Sequence, residues 1–81
     1  MNERRGQPRK RVLKSGKITT NQRVSVFDCT VRNLSLRGAC IEMGSTIGVP
    51  QSFELTIEPD GVSRACKVIW RSERRIGVAF L

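Results

Sequence analysis

From residue 12 onward, apolar and polar positions alternate with a period of two and are punctuated by turn residues, the pattern of half-buried strands rather than helices. Val12 to Ile18 reads as a first strand, weakened by Gly16 and followed by a turn at Thr20-Asn21-Gln22. Arg23 to Leu34 reads as a long second strand with Phe27, Cys29 and Val31 on one face and Asp28, Thr30 and Arg32 on the other. Gly38 opens a third strand in which Ala39, Ile41 and Met43 alternate with Cys40 and Glu42, ending at Gly44-Ser45. A loop from Thr46 to Gln51 leads into the clearest alternation of the chain, Phe53, Leu55 and Ile57 inward against Glu54, Thr56 and Glu58 outward. Pro59-Asp60-Gly61 is a turn suited to a hairpin. The fifth strand, Ser63 to Arg71, sets Cys66, Val68 and Trp70 on one face. After a turn at Glu73-Arg74-Arg75, Ile76, Val78 and Phe80 alternate with Gly77 and Ala79. Six consecutive strands without a helical period predict an all-β fold, a six-stranded antiparallel β-barrel or closed sandwich whose closure removes exposed edges.

Composition separates residues 1–11 from this pattern. Arg4, Arg5, Arg9, Lys10 and Arg11 stand against Glu3 alone, with Gly6 and Pro8 and almost nothing apolar, so this stretch cannot pack a core by itself. It is expected to be a flexible basic arm, with 12–81 as the single barrel domain. Over the whole chain of 81 residues, 15 basic and 7 acidic side chains give a net charge of +8, which favours an anionic partner. A chain this short has room for one modest core and no deep catalytic cleft.

Catalytic and metal chemistry find few residues to use. There is no histidine, and Cys29, Cys40 and Cys66 are odd in number and too widely spaced for a C-x-x-C pair. They sit in apolar, strand-like runs and read as small hydrophobic fillers of a core in a reducing compartment. With neither paired carboxylates nor an activated nucleophile, the chain is expected not to be an enzyme, and no metal site is expected. The N-terminus lacks an apolar signal region, and no apolar run approaches the length of a membrane span, about 18 residues. A soluble, cytoplasmic domain is expected.

Two short motifs point to an anion site. Arg5-Gly6-Gln7-Pro8-Arg9 spaces two guanidinium forks as R-x-x-x-R on a segment that Pro8 holds extended, suited to phosphates and to guanine edges. Asn33-Leu34-Ser35-Leu36-Arg37-Gly38, as N-x-S-x-x-G, adds an amide that donates and accepts, a small hydroxyl, and a glycine that lets backbone turn or approach a ligand. Each pattern alone is common, the second as a simple turn. Their joint occurrence in this order resembles the PilZ domain family, cytosolic bacterial receptors for the second messenger cyclic di-GMP. The likeness runs from about Arg4 to Leu81 and includes the Val68-Ile69-Trp70-Arg71 run and the terminal Gly77-Val78-Ala79-Phe80-Leu81.

The resemblance implies a PilZ-like barrel of the split-barrel type. It implies cyclic di-GMP bound by Arg5, Arg9, Asn33, Ser35 and Gly38, with Arg4 as a possible further contact. Arg5 and Arg9 would meet phosphate and the Hoogsteen edge of guanine, and Asn33 and Ser35 would hydrogen-bond the base from the barrel side. Gly38 would leave room for the base. Lys10, Arg11, Arg32 and Arg37 read as solvated charge. Many family members add a C-terminal helix against the barrel, and here the sixth strand ends the chain, leaving that area open or covered by a partner. No cofactor beyond this ligand is implied, and the signal would pass to a downstream effector protein as the arm becomes ordered. A small basic barrel that binds nucleic acid is the first alternative. It is disfavoured because Phe27, Phe53, Trp70 and Phe80 all fall on inward positions, leaving no surface stacking platform. A protein-interaction module that binds no nucleotide is the second.

Overall fold

Alternating strands of this length must bury one face each, and six of them do so by closing on one another. The computed structural model describes residues 10–20, 26–58 and 60–81, and Asn21, Gln22, Arg23 to Ser25 and Pro59 therefore lie outside the described residues. The strands are β1 (Lys10–Thr19), β2 (Val26–Leu34), β3 (Gly38–Glu42), β4 (Ser52–Ile57), β5 (Val62–Arg71) and β6 (Arg75–Phe80), with no helix among the described residues. They form a closed barrel in the order β1-β2-β3-β6-β5-β4, every pairing antiparallel, with β4 returning to β1. The expected barrel is thus the fold observed.

The core holds one fully buried side chain from each strand: Ile18, Val31, Ile41, Leu55, Cys66 and Ile76. Each buried aliphatic contributes about 1.5–3 kcal/mol relative to exposure, so the alternation that wrote these positions also supplies the force that closes the barrel. The β3–β4 connection folds onto this core through Met43, Thr46 and Val49. It is tied to the β5–β6 turn, where the Thr46 hydroxyl donates to the Ser72 carbonyl at 2.7 Å and the Arg71 guanidinium donates to the Thr46 carbonyl at 3.0 Å.

Strand β1 starts at Lys10 rather than Val12. Lys10 pairs with Leu34 and Arg11 with Asn33, so two residues expected in the arm belong to the barrel. Backbone pairing is indifferent to side-chain charge, which is why composition assigned them elsewhere.

The strand ladders shift register at three places, and at two of them period two fails. Between Arg11 and Lys14 the β1–β2 ladder shifts while β1 keeps its alternation, with Val12, Gly16 and Ile18 inward; alternation breaks on β2 between Val31 and Asn33 and on β5 between Val68 and Trp70. The last corrects the expected inward Trp70. Val68 pairs with Val78 but Trp70 with Gly77, so β5 advances two residues while β6 advances one. The extra residue, Ile69, forms a bulge that turns the following side chain to the other face. Trp70 is left 48% exposed on the outer wall. The reading of the cysteines as core fillers holds for Cys29 and Cys66, which are buried, and is corrected for Cys40, which regular alternation on β3 sets on the face opposite Ile41, half-buried beside Asn33 and Gly77.

Candidate ligand-binding groove

The Asn33–Gly38 motif forms the turn between β2 and β3, and its serine builds that turn. The Ser35 hydroxyl accepts hydrogen bonds from the backbone N–H groups of Arg37 and Gly38, both at 3.2 Å, and donates to the Gly38 carbonyl at 3.3 Å. The Ser35 N–H donates to the same carbonyl at 2.9 Å, and the Arg37 carbonyl accepts from the Phe80 N–H at 2.7 Å, fastening the turn to the end of β6. A hydroxyl bonded to its own backbone a few residues on is the usual reason for serine in such turns.

Asn33 reaches the outer face through the shift in β2. Simple alternation from Phe27, Cys29 and Val31 would carry Asn33 inward, but the ladder slips at Arg32. Asn33 then pairs with Cys40 of β3 and Arg11 of β1, while Leu34 packs against the core. Among the described residues the Asn33 side chain makes no hydrogen bond, so its amide is free to donate and accept.

The pairings across four neighbouring ladders line up a single row on the outer wall: Arg11, Asn33, Cys40, Gly77, Trp70. Its middle is low and its ends are tall. A Cβ on Gly77 would overlap the Trp70 indole at Nε1 and Cε2, so the ring lies directly on the bare glycine. A Cβ on Gly38 would overlap the Val78 carbonyl oxygen, which makes this glycine a requirement of the close β3–β6 approach. The expectation that Gly38 clears space for a ligand is therefore joined by a structural demand on the same residue. The resulting groove, about 440 Å³, is bordered by Asn33, Ser35, Gly38 and Trp70, with Cys40 in its floor and Gly77 beneath the indole.

A second cavity, about 540 Å³, adjoins it and shares Asn33. Three arginines line it, Arg11, Arg32 and Arg75. Among the described residues, the carboxylate paired with these arginines is Glu42, whose Oε1 lies 3.0 Å from Nη1 of Arg32 and 3.8 Å from Nη2 of Arg75. A planar groove with one aromatic wall and one amide wall suits a nucleobase, and the adjoining cationic cavity suits phosphate.

Of the residues expected from sequence, the structure brings Asn33, Ser35 and Gly38 together at one groove. Arg4, Arg5 and Arg9 lie outside the described residues. The described chain begins one residue after Arg9, at Lys10, paired to the residue that follows Asn33. Sequence reasoning missed Trp70, and it gave Arg11 and Arg32 no role beyond background charge. A signal for Trp70 existed: Val68-Ile69-Trp70 puts large apolar residues on both faces in succession, which strict alternation cannot bury, and a bare Gly77 stands on the next strand.

The two core thiols take no part in this chemistry. Burial, helped by the Asp28 carboxylate and then by Cys66, pushes Cys29 up to about 11, and burial alone pushes Cys66 up to about 11. Among the described residues no three His, Cys, Asp or Glu side chains gather as metal ligands. A family model for the PilZ domain matches residues 3–81, nearly the whole chain. Comparison with curated proteins finds no match.

Proposed function

Because this chain belongs to the PilZ domain family, whose members are generally receptor domains for cyclic di-GMP rather than enzymes, we propose that it binds this messenger on the outer wall of its barrel. The observation that carries the reading is the row from Arg11 to Trp70, which puts an amide and an indole on opposite sides of a floor with little side-chain bulk. Guanine would lie in the groove, stacked against Trp70 and hydrogen-bonded by the Asn33 amide. Ser35 would contribute by holding the turn, and its hydroxyl could donate to the base only by giving up its bond to the Gly38 carbonyl. Arg5 and Arg9 would close over the ligand from the other side. Support comes from chain connectivity: Arg9 is two residues before Arg11, whose backbone faces Asn33, and extended chain covers roughly 3.3 Å per residue. Arg4 is a further contact in the same proposal.

Ordering of residues 1–9 around the ligand would form the output, a surface that a downstream effector protein recognises only when messenger is bound. Fixing each residue costs about 1–2 kcal/mol of entropy, which charge-assisted arginine contacts must offset. Calorimetric titration with cyclic di-GMP, with GTP and a short oligonucleotide as controls, tests the reading on wild type and Arg9→Ala. Nucleotide-specific binding abolished by Arg9→Ala is expected. Absence of cyclic di-GMP binding to the wild type would overturn it.

The outward Trp70 favours a second reading, because it supplies the stacking surface whose expected absence counted against nucleic-acid binding. Single-strand binders stack successive bases on several aromatics, and among the described residues this groove has one. Oligonucleotide binding that collapses with salt and ignores Arg9→Ala would select this second reading.

A further inference from the structure

We infer that Arg11, Arg32 and Arg75 form a phosphate subsite beside the groove, and that Glu42 occupies it as a carboxylate stand-in until a phosphodiester displaces it. The inference rests on the reading of the groove as a cyclic dinucleotide site and adds residues that neither motif contains. Its first support is position. The three arginines line one cavity, Asn33 lines both that cavity and the groove, and Arg75 also borders both. A ligand whose base lies between Asn33 and Trp70 has its phosphate within reach of Arg75.

Its second support is the geometry around Glu42. One carboxylate oxygen serves both Arg32 and Arg75, at 3.0 and 3.8 Å. Only the first is a hydrogen bond. Arg75 is thus neutralised by proximity without being held, its side chain 46% exposed, and its fork is free to turn. Backbone pairing fixes the arrangement, since Glu42 of β3 stands directly opposite Arg75 of β6. A phosphate offers two oxygens in the spacing of a guanidinium fork, which the shared single oxygen of Glu42 does not match. Partly exposed ion pairs of this kind are weak, so a bidentate phosphate can replace the contact. Glu42 therefore lowers affinity for the messenger and keeps Arg32 and Arg75 together beside Arg11 in the free protein.

Calorimetry with cyclic di-GMP on the full chain tests this with Glu42→Gln and Arg75→Ala. Glu42→Gln keeps size and removes charge, and we expect it to tighten binding threefold or more. Arg75→Ala is expected to weaken binding at least tenfold. Arg75→Gln serves if the alanine variant does not fold. Side-chain NMR signals of the Arg32 and Arg75 guanidinium groups should shift on titration of the wild type. Wild-type binding that Glu42→Gln leaves unchanged or weakens would overturn the role of Glu42. Wild-type binding unaffected by either Arg75 variant, with no shift of the Arg75 signal, would overturn the subsite while the reading of the groove stands. A wild type that binds no cyclic di-GMP would remove both together.

Discussion

Two glycines on facing strands separate what the barrel needs from what the groove needs. A methyl group on Gly38 would run into backbone: it overlaps the Val78 carbonyl oxygen and comes within 3.2 Å of the Val78 carbonyl carbon and 3.3 Å of the Ala79 Cα. Nothing there can rotate away, so β3 must slide off β6. That movement disturbs the bonds anchored at the turn, Ser35 N–H to the Gly38 carbonyl at 2.9 Å and Phe80 N–H to the Arg37 carbonyl at 2.7 Å. Overpacking of a fixed site costs about 1–3 kcal/mol. Each weakened hydrogen bond adds about 1 kcal/mol. Gly38→Ala should therefore lose roughly 3 kcal/mol, a fall of about 12–24 °C in Tm for a domain of this size.

The atoms nearest a methyl group on Gly77 all belong to the Trp70 ring, a side chain on the outer wall that can swing into solvent. Alanine also reduces unfolded-state entropy, a gain of about 0.4–1 kcal/mol, so the net change should stay within about 1 kcal/mol. Thermal melts followed by far-UV circular dichroism measure both variants. Tryptophan emission should shift to the red in Gly77→Ala as the indole leaves the strand. A Gly38→Ala protein that melts within about 4 °C of wild type and has lost only ligand binding would refute this reasoning, because Gly38 would then serve the ligand and not the strand seam.

Trp70→Ala should weaken cyclic di-GMP binding about tenfold, within the range found for loss of one base–aromatic stack, and ligand should quench the emission of this single tryptophan in the wild type. Unchanged affinity would remove Trp70 from the site. Of the three cysteines, Cys40 alone should react quickly with a thiol reagent at mild alkaline pH, since thiols pushed up to about 11 hold few thiolates there. Saturating ligand should slow that reaction, and mass spectrometry of the labelled peptides would show it. Because Cys29 and Cys66 are raised by burial above their ordinary value of 9.0, their neutral forms stabilise the fold fully below that value, and the contribution is lost as pH rises toward about 11. Tm should fall over that interval, and a flat profile would contradict the burial of these thiols.

The barrel was legible because its inward positions obey one rule. Phe53, Leu55 and Ile57 alternate with polar residues, and the structure buries all three. Gly38, Ile41 and Ile76 likewise fall where their strands were expected. The candidate site was legible only in part. Asn33, Ser35 and Gly38 could be named from their spacing, and the structure gathers them at one groove. Trp70 could not be placed by period two, because the bulge at Ile69 depends on how β5 meets β6, a contact absent from local sequence. Arg11, Arg32 and Arg75 were hidden for a related reason. Their charges are ordinary along the chain and become a cluster only when β1, β2 and β6 bring them to one cavity.

The three ladder shifts explain why these residues share a face. An unbroken alternation seals a barrel but leaves its outer wall to whatever polar residues fall there. The shifts on β2 and β5 turn over the alternation of their strands, and all three shifts occur beside the same row: after Arg11 on β1, before Asn33 on β2 and before Trp70 on β5. Between them, β3 and β6 keep regular pairing from Gly38↔Ala79 to Glu42↔Arg75 and present Gly38, Cys40, Gly77 and Ala79, residues too small to fill the space. The irregular strands thus supply the walls and the regular strands the floor. Deleting Ile69 makes Trp70 follow the inward Val68 directly and keeps both Val68↔Val78 and Trp70↔Gly77, so the indole should stay on the outer wall in a now regular ladder. Trp70 emission and cyclic di-GMP binding should therefore remain close to wild type in the deletion as in Ile69→Ala, and a blue-shifted emission with lost affinity in the deletion would refute the assignment of Ile69 as the extra residue.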